Sequence, residues 1–261
     1  MRWLSRISVS VLLIFTASGF AAVTEKKVQL PNQLGSAVIY GNDSIKNQGT
    51  GVIVIHEWWG FNDYARSRAK MLAELGYTSI AVDMYGTGKV ADHPDNAMAF
   101  MEEAMKDPEK INARFEAAMT LLKAESGVDA SRIYAMGYCF GGGVVLNQAR
   151  MGKNLAGVAS FHGMLTSKKF KADATTLKAK ILVAHGGADP FVPPEQASSF
   201  VTEMLGAGAD LDFRVYPGVK HSFTVPQATA KGEAFGMPFK YDEHADKAVS
   251  YTHLTLPTTP Y

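Results

Sequence analysis

Ile133-Tyr-Ala-Met-Gly137-Tyr138-Cys139-Phe140-Gly141-Gly142-Gly143 is the stretch on which the reading of the chain turns. Its first half, from Arg132 to Met136, is a short apolar run of strand type. The residues after the glycines are of helix type and end near Arg150. Between them lies Gly-x-Cys-x-Gly-Gly. A side chain held on so tight a strand-to-helix turn takes a strained backbone angle, and side chains two positions to either side would collide. Glycine at those positions relieves the crowding. The turn lifts the Cys139 thiol above the end of the strand, at the positive end of the following helix, which favours a thiolate.

Cys139 is the only cysteine among 261 residues. A lone thiol forms no internal disulfide, so it is a buried inert group, an intermolecular partner or a reactive centre. Its glycine-flanked position argues for the last.

Working outward, apolar β-rich runs alternate with helical stretches. Strands are expected at Gly51–His56, Thr78–Val82, Arg132–Met136, Gly157–Phe161, Lys180–His185 and Leu211–Tyr216. Helices are expected at about Asp63–Leu75, Ala97–Met105, Glu109–Glu125 and Pro194–Leu205, with a surface helix over Asp242–Val249. Near-continuous apolar strands alternating with helices imply an α/β domain, its mostly parallel sheet covered on both faces. No repeat or Pro/Ser-rich linker divides residues 22–249, which read as one domain.

Two later loops supply partners for the thiol. Gly186-Gly187-Ala188-Asp189 follows the strand ending at His185, and Pro217-Gly218-Val219-Lys220-His221 follows the strand ending at Tyr216. The order nucleophile, acid, histidine, each after a later strand, suits a triad on such a sheet. Cys139 would attack an acyl carbon, His221 would handle the proton, and Asp189 would fix the imidazole tautomer. Backbone N–H groups of Phe140 and Trp58 would hold the oxyanion.

These motifs together resemble the dienelactone hydrolase family, the carboxymethylenebutenolidase-like α/β-hydrolases. The resemblance runs from Gly51 to Ala245. It rests on His56-Glu57-Trp58-Trp59-Gly60, Asp83-Met84-Tyr85-Gly86, Gly137-Tyr138-Cys139-Phe140-Gly141-Gly142, His185-Gly186-x-x-Asp189 and Tyr216-x-Gly218-x-x-His221-Ser222-Phe223. It implies an α/β-hydrolase fold, no metal or organic cofactor, and a triad of Cys139, His221 and Asp189. It also implies that Glu57 sits by the resting thiol and exchanges partners when substrate arrives. Trp59, Tyr85, His162 and Phe223 are the expected pocket residues, and His56 is expected to be a structural hydrogen-bonding residue.

Two departures bear on substrate. The family's dienelactone-cleaving members hold the substrate carboxylate with an arginine soon after Asp-x-Tyr and another three residues beyond the Ser of His-Ser-Phe. Here the first region reads Tyr85-Gly86-Thr87-Gly88-Lys89 and the second has Val225. Without either guanidinium fork, bidentate carboxylate recognition is lost; Lys89 is the one candidate point charge. The expectation is a hydrolase of carboxylic esters or lactones that is not specific for dienelactone. The alternative is a non-catalytic small-molecule-binding protein on the same scaffold. A peroxide-reactive thiol protein is a third reading, weakened by the lack of a second, resolving cysteine.

The ends of the chain read differently from its middle. Met1–Arg6 is basic, Ile7–Phe15 mostly apolar and Thr16–Ala22 small, the order of a secretory signal peptide cut after Ala21. The rival, an uncleaved anchor, has an apolar stretch well short of the ~20 residues a bilayer span needs. Export to the periplasm or outside is therefore expected. Removing residues 1–21 takes away two arginines and no acid, so the formal charge goes from +1 to −1. Such a near-neutral chain has no electrostatic basis for nucleic acid or anionic membrane as a partner. The expected partner is a small-molecule substrate, and the expected state a monomer. Residues 250–261, rich in threonine and proline, read as a non-native tail that abandons helical periodicity.

Overall fold

The computed structural model describes residues 23–45, 49–86 and 88–254, with side chains to residue 250. The expected signal segment and most of the suspect tail lie outside the described residues. Eight strands form one sheet: β1 (Val23–Leu30), β2 (Gly35–Asn42), β3 (Gly51–Ile55), β4 (Thr78–Val82), β5 (Ile133–Tyr138), β6 (Gly157–Phe161), β7 (Lys180–Gly186) and β8 (Leu211–Tyr216). Their spatial order is β1-β2-β4-β3-β5-β6-β7-β8. Strands β3 to β8 run parallel, while β1 and β2 pair antiparallel with each other and β2 antiparallel with β4.

This is the α/β-hydrolase fold. The six parallel strands fall where the apolar runs predict them. The N-terminal hairpin was not predicted. β1 has an exposed, charge-rich central run, so burial alternation is nearly invisible in Val23-Thr-Glu-Lys-Lys-Val-Gln-Leu30. It is held by its ladder to β2 rather than by a buried face.

Alternation within the strands builds two cores. Ile53 and Ile55 of β3 face one side, with Ile80, Val82, Ile133, Val158 and Val183. There they meet α2 (Pro94–Lys106), α3 (Pro108–Lys123), α4 (Phe140–Arg150) and α5 (Pro194–Gly206). Val52 and Val54 face the other side, with Ala81, Met136, Tyr138, Phe161 and Leu182, against α1 (Asp63–Glu74) and α7 (Glu243–Leu254).

The chain leaves β3 for β4 on one flank, then returns to β3's other flank as β5. Such a reversal opens a crevice outside the carboxyl ends of the two strands, where ligands bind in open α/β sheets. The segments that follow β3 and β5 are Glu57-Trp58-Trp59 and Cys139-Phe140.

A second departure is at the end of the chain. α7 continues through residues 250–254, where the sequence reading placed a break. Threonine and tyrosine cost a helix only a few tenths of a kcal/mol each, and the sequence has no proline, the residue that breaks helices, between 250 and 254. The helix is also anchored: buried Arg68 of α1 donates to Asp246 at 2.6 Å and to Ser250 Oγ at 3.3 Å. Ser250 thus belongs to the fold. A short helix, α6 (Ala228–Phe235), was also unforeseen.

Candidate active site

Cys139 joins β5 to α4 with φ 52° and ψ −113°, a conformation that side chains rarely adopt. Its amide donates to the Phe161 carbonyl at 3.0 Å, which fixes the turn to the end of β6. A Cβ on Gly137 would lie 2.1 Å from the Gly141 carbonyl oxygen, and one on Gly141 would lie 2.5 Å from that of Ile55. The first contact closes the turn, and the second seats α4 directly against the end of β3. The Cys139 side chain is partly exposed. Phe140 is the first residue of α4, so its N–H has no acceptor within the helix.

The loops after β7 and β8 are tied together by backbone bonds from Gly187 to Tyr216 and from Ala188 to Val219. They bring Asp189 to His221. Nδ1–H of the imidazole donates to Asp189 Oδ2 at 2.7 Å, and Oδ1 accepts from the Phe191 amide at 2.9 Å. Both side chains are buried. The Cys139 sulfur is a neighbour that acts on the same imidazole. Burial alone would lower the His221 pKa. The neighbouring Cys139 sulfur and the hydrogen bond to Asp189 outweigh it and push it up to about 10.

Glu57 is buried and accepts from Ser222 Oγ at 2.8 Å. Burial pushes its carboxyl up from the ordinary value, against the Ser222 bond and the charges of His221, Lys231 and Arg68. Glu57 is bonded to Ser222, so the carboxylate here holds a partner other than the sulfur. Ser222 reaches Glu57 because its own backbone takes φ 57°.

The remaining expected residues divide. Glu57 and Trp59 line a cavity of about 480 Å³ with Asn62, Tyr64, Val225 and Lys231. Trp58 is buried, and its carbonyl accepts from Tyr85 Oη at 3.1 Å. Tyr85 thus braces the Trp58 loop and packs on Phe140, with ring centroids 5.3 Å apart. Phe223 is a correction. It is fully buried in the core on the α1/α7 face, against Tyr216 and His162. The left-handed turn at Ser222 sends Ser222 toward the site and its neighbour inward. His162 is likewise fully buried, its ring 5.2 Å from that of His221.

His56 is structural, as expected. Its Nε2 accepts from the Met84 amide at 3.0 Å, leaving Nδ1–H to donate to the Glu57 carbonyl. Burial lowers its pKa to about 4. Asp83 closes the Asp-x-Tyr turn by accepting from the amides of Tyr85 and Gly86, each at 3.0 Å. Lys89 is paired with Glu103 at 2.7 Å, outside the cavity beside Glu57. Val225 lines that cavity where an arginine was looked for.

Several neighbours of the site lie outside the expected site residues. Phe191 and Phe239 flank the His221 ring at 5.0 and 5.9 Å, and Lys231 Nζ lies 3.5 Å above the Trp59 ring. Phe191, two residues beyond Asp189, was readable from its place in the loop. Lys231 and Phe239 follow the last motif and carry no spacing signal.

A partly exposed thiol on a strained turn, an imidazole beside it and a carboxylate behind the imidazole sit at the strand ends of an α/β-hydrolase fold. The dienelactone hydrolase family model matches residues 36–256, and the chain belongs to that family. Protein usf of Aquifex pyrophilus is 30% identical over 180 residues, covering 67% of this chain and 77% of its own. Among solved structures, a dienelactone hydrolase-like promiscuous phosphotriesterase from metagenomic libraries is 29% identical with a TM-score of 0.80. The match covers 90% of this chain and 97% of that one. A structure titled m3DLH is 32% identical with a TM-score of 0.79, covering 90% and 96%.

Proposed function

We propose that the protein hydrolyses carboxylic esters or lactones through an acyl-Cys139 intermediate. The observation that carries this is the His221 imidazole, bonded on one side to buried Asp189 at 2.7 Å and neighboured by the partly exposed sulfur.

The sulfur attacks the acyl carbon, and the carbonyl oxygen takes the negative charge against the N–H groups of Phe140 and Trp58. Collapse breaks the C–O bond. The leaving alkoxide receives the proton held on His221, and a thioester remains on Cys139. Neutral His221 then accepts a proton from water as that water attacks the thioester. The acid departs, and His221 and the sulfur regain their resting state. Asp189 keeps Nδ1–H engaged throughout, so Nε2 is the nitrogen that gives and takes the proton. Glu57, in the exchange the family resemblance implies, moves between Ser222 and the sulfur as substrate arrives.

The substrate is not dienelactone itself. Val225 lines the cavity without charge and Lys89 is spent on Glu103, so neither position offers a carboxylate fork. We also infer an exported enzyme, on the strength of the N-terminal charge and hydropathy order. Fractionation of cells expressing the full chain tests this by finding the protein outside the cytoplasm or within it.

For the reaction, p-nitrophenyl esters of short acids and simple lactones are the assay substrates. Cys139→Ala is expected to lose at least about 10³-fold in kcat/KM with an unchanged circular dichroism spectrum. Turnover at the parent rate in that variant would refute the mechanism.

A further inference from the structure

Beneath the Cys139–His221 pair lies a buried polar chain that the reaction above does not use. His162, at the end of β6, has φ 40° and is fully buried. Its amide donates to Ala184 O at 2.9 Å. Its Nε2 lies 2.8 Å from Thr224 Oγ1, which is in turn 2.6 Å from Tyr64 Oη. Tyr64 Oη also lies 3.2 Å from the Thr224 carbonyl. On the opposite side of the ring, Nδ1 has no hydrogen-bond partner, although it is buried. It faces Glu57 Oε1 at 4.0 Å. A buried nitrogen without a partner is costly, and a carboxylate rotation of about 1 Å would bring the two to hydrogen-bond distance.

We propose that His162 is a positioning residue for Glu57, meeting the carboxyl through Nδ1 in both of its charge states by exchanging its tautomer. With Glu57 ionised, Tyr64 O–H donates to Thr224 Oγ1, Thr224 O–H donates to Nε2, and Nδ1–H donates to the carboxylate. With Glu57 protonated, its O–H donates to Nδ1, Nε2–H donates to Thr224 Oγ1, Thr224 O–H donates to Tyr64 Oη, and Tyr64 O–H donates to the Thr224 carbonyl. The two arrangements differ by one proton. It is exchanged with solvent through the cavity that both Glu57 and Tyr64 line. His162 itself stays neutral throughout.

The surroundings suit that neutrality. The groups facing the pair are Tyr64 and Arg68 from α1, Tyr138 from β5, His221 from the loop after β8 and Lys231 from α6. Burial, then the charges of His221 and Arg68, hold the His162 pKa well below its ordinary value. A ring that cannot take a second proton has only its two tautomers to offer.

This inference rests on the thiol-hydrolase reading only for its kinetic consequence. The structural test does not need turnover. Long-range ¹H–¹⁵N spectra of the His162 ring should show Nδ1–H at high pH and Nε2–H at low pH, with the change abolished in Glu57→Gln. A single tautomer across the titration, or an imidazolium, would overturn it.

The kinetic test uses two partial replacements. Asparagine places its amide where Nδ1 stands, and glutamine reaches only the Nε2 position. His162→Gln removes the donor that favours the ionised carboxylate, so the Glu57 pKa rises and the acid limb of kcat/KM moves up by about one pH unit. That is roughly a tenfold loss on the acid side and little change on the plateau. His162→Asn should restore the limb toward the parent position. Asparagine also tolerates φ 40° better, but a difference in stability alone does not move a pH limb. Limbs unmoved in both variants, or moved equally, would contradict the role. If the tautomer exchanges but Cys139→Ala still turns over ester, the reaction reading fails and this one stands. If the tautomer is fixed while Cys139→Ala is inactive, the reverse holds.

Discussion

The turn that carries Cys139 and the polar layer beneath it are neighbours in space but are specified in different ways. The turn is local. Eleven consecutive residues hold its strand, its glycines and the start of its helix, and a Cβ at Gly137 would strike Gly141, four residues away. The polar layer is assembled from five parts of the chain: Glu57 after β3, Tyr64 and Arg68 on α1, His162 after β6, the Ser222–Thr224 loop, and Asp246 on α7. Local crowding makes the turn rigid. The layer is held by hydrogen bonds, ring contacts and one buried ion pair, which suits the proposed rearrangement around a proton.

That contrast can be broken from either side. The largest effect expected is from Gly137→Ala. The added methyl meets backbone atoms at 2.1 and 2.2 Å, which no side-chain movement relieves. The loss should exceed about 4 kcal/mol, enough to deplete the folded protein, as read by denaturant titration and soluble yield. Folding at parental stability would show that the turn is looser than described.

Next in size is Asp246→Ala. It leaves the Arg68 guanidinium buried beside Thr224 O, which it contacts at 2.6 Å, without its carboxylate. Breaking a buried pair from one side costs about 3–5 kcal/mol. The loss should be accompanied by fast amide exchange in α7 while α4 stays protected. Uniform loss of protection would mean that layer and turn unfold as one unit.

The smallest effect has the opposite sign. Cys139 holds a conformation that glycine adopts freely, so Cys139→Gly should gain roughly 1 kcal/mol in thermal or chemical unfolding while abolishing turnover. A destabilised variant would mean that the side chain's packing outweighs the strain.

The same contrast explains what the sequence revealed. Five of the six parallel strands were legible because each is a short apolar run buried on both faces, whereas β8 at the sheet edge is only partly buried. Cys139, Asp189 and His221 were legible because each lies in a loop directly after such a strand, and strand ends of a parallel sheet share one edge. The β1–β2 hairpin was not, since its outer strand buries little. Phe223 was misjudged because motif membership says nothing about which way a side chain leaves a left-handed turn. The roles of Ser222, Thr224 and His162 depend on contacts across more than sixty positions, for which no spacing rule exists. The helix through residue 254 was hidden by threonines that tertiary anchoring overrides.

The most direct test is a rapid-quench reaction with p-nitrophenyl acetate, followed by mass analysis of the peptide containing Cys139. An acetyl group on that sulfur, formed no more slowly than p-nitrophenol is released and absent from Cys139→Ala, is the predicted result. Acetyl on another side chain, with p-nitrophenol released as fast by Cys139→Ala as by the parent, would contradict the account.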